Sequence, residues 1–106
     1  MAMKPVVLRE LAHLDVEDAI EHYLRDGGTA VALGFVDELE RAYMHIARHP
    51  ATGSPRYAHQ LGFADLRFWR VQRFPYLVFY VERADDIDVL RVLHAQRDIP
   101  AWLDED

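Results

Sequence analysis

The chain has 106 residues, 51% of them apolar, and a net charge of −6 from 18 acids and 12 bases. That length and composition suit one domain, 1–106, with a modest core. With no cysteine there is no disulfide and no thiolate zinc site, and the acidic balance argues against a protein that grips phosphate backbones by net charge.

No apolar run is long enough for a transmembrane helix. The opening MAMKPVVLRE lacks the apolar stretch of a signal peptide, so the expectation is a cytoplasmic protein. Charge is unevenly spread. Residues 15–40 hold eight acids and one base, a net of −7, whereas residues 67–97 hold six arginines and four acids, a net of +2.

Pro5 to Arg9, rich in valine, predicts a short first strand. Leu11 to Leu24 then carries Ala12, Val16, Ala19, Ile20, Tyr23 and Leu24 at helical spacing. Asp15, Glu17 and Asp18 sit early, where acids favour the positive end of the helix dipole. Asp26-Gly27-Gly28 stops this helix. Thr29 is the N-cap of a second helix, Ala30 to about His49, with Ala32, Phe35, Val36, Leu39, Ala42, Tyr43 and Ile46 on its apolar face. Gly34 inside it leaves room for another helix to approach. Pro50 ends it. So short a link predicts an antiparallel helical hairpin.

Residues 50–64 have no clear period and read as the longest loop. Three strands follow: Leu66–Gln72, Tyr76–Arg83 and Ile87–Ala95. Their links, Arg73–Pro75 and Ala84–Asp86, are short enough for hairpins. Ile99 and Trp102 in the tail are expected to fold back on the sheet. The fold class is α+β: a β-α-α-β-β-β order, with a helical hairpin on a mainly antiparallel four-stranded sheet.

A three-residue link at Ala84–Asp86 opposes Arg83 to Ile87, Val81 to Val89, Tyr80 to Leu90, Val78 to Val92 and Tyr76 to His94. The same rule opposes Gln72 to Tyr76, Arg70 to Val78 and Phe68 to Tyr80. One face then carries Phe68, Arg70, Gln72, Tyr76, Val78, Tyr80, Leu90, Val92 and His94. The other carries Trp69, Val71, Leu77, Phe79, Val81, Val89 and Leu93, with Arg91 as a misfit. The second face is the more apolar and is expected to meet the helices. Arg70, Tyr76 and His94 are then expected together on the open face.

The segment RFPYLVFYVERADDIDVLRVLHAQRD (73–98) resembles the C-terminal half of toxins of the RelE/ParE superfamily, from bacterial type II toxin–antitoxin systems. The resemblance rests on Arg67, Phe74-Pro75-Tyr76, Asp85-Asp86, Leu93-His94 and Arg97-Asp98. Ala12, Asp15, Ile20, Tyr23, Ala32, Phe35, Ile46, Pro50 and Gly53 also stand where that family's helices and loop place such residues. It implies the element order reached above. It also implies one of two activities: cleavage of messenger RNA on the ribosome, as in RelE-like members, or poisoning of DNA gyrase, as in ParE-like members. Either toxin is neutralised by a cognate antitoxin.

RNA cleavage by a 2′-hydroxyl needs a base, positive charge for the phosphate and an acid. The resemblance places Arg97 where nuclease members carry an arginine. Tyr76 falls where they carry another, and Lys4 is the only lysine. The reading therefore goes to the ParE branch, a growth-arresting, plasmid-stabilising toxin that inhibits gyrase by binding. It leans away from an enzyme. Its partners are a ParD-like antitoxin, in a hetero-oligomer, and gyrase.

The alternative is a ribosome-dependent endoribonuclease with His94, Arg97, Arg70 and Tyr76 as its polar group. A third reading is a degenerate member that only binds an antitoxin-like partner. Candidate partner-binding residues are Tyr23, Leu24, Arg70, Tyr76, His94 and Arg97. The bland reading of His94 is a strand end hydrogen-bonded to backbone or to Asp98, beside an Arg97–Asp98 ion pair. His45 and His49 share a helix face but lack a third ligand. No metal, cofactor or membrane contact is implied.

Overall fold

The computed structural model describes residues 3–97 and 99–103. Strand β1 (Val6–Leu8) leads directly into helix α1 (Glu10–Arg48). A short 3-10 turn (Pro50–Thr52) and helix α2 (Arg56–Leu61) follow, then β2 (Leu66–Arg70), β3 (Tyr76–Glu82), β4 (Ile87–His94) and helix α3 (Ile99–Leu103).

Although α1 spans 39 residues, it is not a rod but two helical arms joined at a kink. A straight helix of that length would span roughly 58 Å, whereas the longest dimension of the molecule is 38 Å. The reversal is at Gly28, whose φ of 84° and ψ of 177° are open essentially to glycine alone. Tyr23 and Phe35, twelve positions apart, bring their rings within 5.2 Å across the fold. The two arms therefore form the hairpin that the glycine pair predicts. Gly34 faces the ring of Phe74 rather than another helix.

The sheet order is β1-β4-β3-β2, with β1 parallel to β4 and the other pairs antiparallel. Tyr76 pairs with His94, Leu77 with Leu93 and Val78 with Val92, in the predicted register. A bulge between Phe79 and Tyr80 then shifts it, so that Tyr80 meets Val89 and Glu82 meets Ile87. The β2–β3 register is also displaced by one: Arg70 meets Leu77 and Phe68 meets Phe79. A one-residue slip moves every side chain of β2 to the other face.

The helical hairpin therefore packs on the face bearing Trp69, Tyr76, Val78, Tyr80, Val89 and Val92. For Tyr76, Val78, Tyr80 and Val92 that is the opposite of the expectation; Trp69 and Val89 meet the helices as expected, because the β2 slip and the bulge turn them to the same side. The other face is not open either. Tyr57, Ala58 and Leu61 of α2 and Ile99, Trp102 and Leu103 of α3 cover Leu66, Leu77, Phe79, Val81, Leu90 and Leu93. With β3 buried on both faces over Tyr76–Val81, apolar alternation carries no information about which side meets the helices.

Helix α2 lies within the segment read as a loop. Its six residues are too few to show a period, and it ends at Gly62 in the left-handed conformation. The loop before it is tied down by Tyr80. The phenol donates to the Pro50 carbonyl at 2.6 Å and accepts from the Gly53 amide at 3.1 Å. Arg67 donates to the Gly53 carbonyl at 2.7 Å.

Candidate functional site

Strand β1 is shorter than β4 and stops opposite Val89. Beyond that point the edge of β4 has no neighbouring strand among the described residues, and the first arm of α1 packs there instead. Asp15 completes the ladder. Its Oδ2 accepts from the Val92 amide at 3.0 Å and from Arg91 Nε at 2.8 Å, and its Oδ1 accepts from Arg91 Nη2 at 2.9 Å. Arg91 Nη1 donates to the Trp102 carbonyl at 2.8 Å. The misfit arginine of β4 is thus the knot that joins the hairpin, the sheet and α3.

Against this knot lies a cleft of about 480 Å³. Asp15, Asp18, His22 and Arg25 reach it from one face of α1, at spacings of three, four and three residues. Tyr76, His94, Arg97 and Trp102 line the other side.

Tyr76 and His94 are directly opposite in the ladder. Their ring centroids lie 5.3 Å apart, edge to face at 74°. The Gln96 amide donates to His94 Nδ1 at 3.1 Å. In the neutral ring this places the proton on Nε2. Burial, then the charge of Arg97, then His22 and Arg70, holds the His94 pKa below its usual 6.5. For Tyr76, burial raises the pKa; Arg97 opposes that, and Asp15 and Asp18 add to it. The Arg97 guanidinium stacks over the Trp102 indole, 4.4 Å from its centroid. Near neutral pH these three groups present two hydrogen-bond donors and one cation. The lone pair that would make His94 a base is already taken by the backbone.

The structure brings Tyr76, His94 and Arg97 together and separates the other predicted residues. Arg70 is on the opposite face of the sheet from Tyr76, because of the β2 register. Only its charge reaches His94, as the weakest of three neighbours. Tyr23 belongs to an aromatic cluster, within 5.2 Å of Phe35 and of Phe74 and 6.1 Å of Tyr76. Leu24, beside it in sequence, is exposed. The backbone alternative for His94 is the bond to Gln96; the proposed Asp98 contacts lie outside the described residues. His45 and His49 belong to no group of three or more potential metal ligands among the described residues.

Asp15, Asp18, His22 and Arg25 were not singled out as site residues by sequence. Their signal was a polar stripe at helical spacing, which also fits a solvated face.

The family model described as the ParE toxin of type II toxin–antitoxin system, parDE, matches residues 6–99. A solved structure, the chromosomal ParDE TA system from P. aeruginosa, contains a chain that superposes with a TM-score of 0.73. The two are 18% identical, over 89% of this chain and 98% of that one, so the likeness is one of fold. No curated protein matches the sequence significantly.

Proposed function

Because the chain belongs to the ParE toxin family of type II toxin–antitoxin systems, we propose that it inhibits DNA gyrase by binding and is neutralised by a ParD-like antitoxin. The family match over residues 6–99 carries this reading. The geometry of the cleft supports a binding mechanism. A nuclease of this fold needs a free base beside the phosphate site. Here the His94 lone pair is engaged by the Gln96 amide and Tyr76 holds its proton. The single lysine and the net charge of −6 further disfavour approach to ribosomal RNA.

Inhibition of this kind needs no bond to be made or broken by the toxin. Tyr76, His94 and Arg97 instead offer directional donors to a carboxylate or carbonyl of the bound protein.

The test is gyrase supercoiling of relaxed plasmid with purified toxin, repeated after adding antitoxin. Inhibition that the antitoxin reverses is the expected result. Supercoiling unaffected over a wide toxin range, with messenger RNA cut in a translating extract, would transfer the assignment to the endoribonuclease reading.

A further inference from the structure

At the opposite edge of the sheet, the second arm of α1 lies against β2 and the turn after it. Between them is a groove of about 470 Å³, lined by Glu38, Arg41, His45, Trp69 and Arg73 among others. None of these was assigned a site role above.

Glu38 is a buried carboxylate, 8% exposed at its side chain, yet its partners hold it loosely. Arg41 Nη1 is 3.5 Å away and Arg73 Nη1 3.8 Å, and these arginines are 74% and 75% exposed. A guanidinium has five N–H donors in a fixed fork. Each contact here involves one nitrogen of its guanidinium, and each arginine side chain is largely exposed. Arg73 is also held at a φ of 71°, an uncommon conformation for a residue with a Cβ. Strain of that kind persists where the surroundings fix it, often at ligand clamps.

The floor of the groove is a stacked ring pair. The Trp69 indole stacks on the His45 imidazole, with centroids 3.8 Å apart and planes within 16°. His45 Nε2 lies 2.8 Å from Thr52 Oγ1, whose own hydrogen goes to the His49 carbonyl. The Thr52 oxygen is therefore the acceptor and His45 Nε2 carries the proton. Burial, then His49, lowers the His45 pKa. Two forks over a flat apolar platform form a receptor for carboxylates flanking an apolar side chain.

We infer that this groove docks an acidic peptide segment of the antitoxin, with Arg41 and Arg73 each taking a carboxylate and Trp69 an apolar side chain between them. The inference rests on the reading of the chain as an antitoxin-bound toxin. Charge decides the occupant. Asp37 and Glu40 are exposed on the same arm, and the whole chain is at −6. A continuous phosphate backbone would meet those acids, whereas a peptide can place two carboxylates on two forks and avoid them.

The test is calorimetric titration of the full-length cognate ParD-like antitoxin into the wild type and three variants. Arg41→Gln/Arg73→Gln is expected to weaken binding by about tenfold or more. Arg41→Lys/Arg73→Lys keeps positive charge beside Glu38 and loses the forks, and is expected to show a smaller loss. Arg56→Gln, an exposed arginine on α2, is expected to bind as the wild type. Thermal melts check that each variant is folded; if the glutamine pair is not, the lysine pair decides. Equal affinity for wild type and the arginine pairs overturns the inference and leaves the antitoxin reading standing. A wild-type chain that binds no antitoxin overturns both. A single-stranded oligonucleotide that displaces the antitoxin from the wild type, but not from the lysine pair, overturns the choice of a peptide.

Discussion

Two carboxylates of α1 meet arginines, and they do so in opposite ways. Asp15 closes on Arg91 at 2.8 and 2.9 Å, with the arginine 3% and the aspartate 11% exposed. Glu38 is as buried as Asp15, but its arginines stand in water at 3.5 and 3.8 Å. In the first pair all three guanidinium nitrogens are engaged internally, so the pair is a structural lock. In the second the acid serves to hold two cations at a surface. Burial of the carboxylate is alike in both. Exposure of the arginine separates a brace from a receptor.

The largest expected effect follows from breaking the lock. Asp15→Ala leaves a buried guanidinium and the Val92 amide without their acceptor, and removing one partner of a buried pair costs about 3–5 kcal/mol. Urea denaturation should show that loss as a lower midpoint with an unchanged slope. A loss below about 1 kcal/mol would place Asp15–Arg91 with ordinary surface pairs.

The loop after α1 can be disturbed without touching the charges of either site. Tyr80→Phe removes the bonds to Pro50 and Gly53. It should cost about 1–3 kcal/mol through the buried partners left unmet, read from the same denaturation curves. Gly53→Ala tests the seam from the other side, because an added Cβ would run into the Tyr80 hydroxyl. It should cost a similar 1–3 kcal/mol or so by overpacking. Glu38→Gln, in contrast, should change stability by less than about 1 kcal/mol, since its arginines are already solvated. A cost near that of Asp15→Ala would erase the distinction between the two sites.

The sequence disclosed the frame better than the packing. Gly27-Gly28 marked the hairpin turn, and the apolar runs gave all four strands within two residues of their ends. The Tyr76–His94 pairing followed from the Ala84–Asp86 link, although the bulge at Leu90 then altered the register toward that link. Two further features left no local trace. Strand β3 is apolar at Tyr76 through Val81, so period-two alternation could not tell the hairpin side from the α2 and α3 side. The Asp15–Arg91 lock spans 76 positions, and its acid looked like an ordinary acid early in a helix. Arg91 stood out as the misfit on its face of the sheet, but nothing in the sequence named its partner.

The smallest effect distinguishes the cleft beside the lock from the lock itself. Burial, with Arg97, His22 and Arg70, lowers the His94 pKa in the folded chain. The unfolded chain, with the usual value of 6.5, therefore binds more protons as pH falls through that value. His94 contributes its full stabilisation above pH 6.5 and loses it progressively down to its folded pKa. His45, also lowered, contributes with the same sign, so a slope alone does not identify the residue. His94→Asn does, because its side-chain oxygen can accept the Gln96 amide without titrating. The variant should lose part of the acid-side decline in stability, while His45 still provides the rest. An NMR titration should give His94 a midpoint below 6.5 and a neutral ring protonated at Nε2. A midpoint above 6.5, or a proton on Nδ1, would free the ring for acid–base work and remove the strongest geometric argument against catalysis in this cleft.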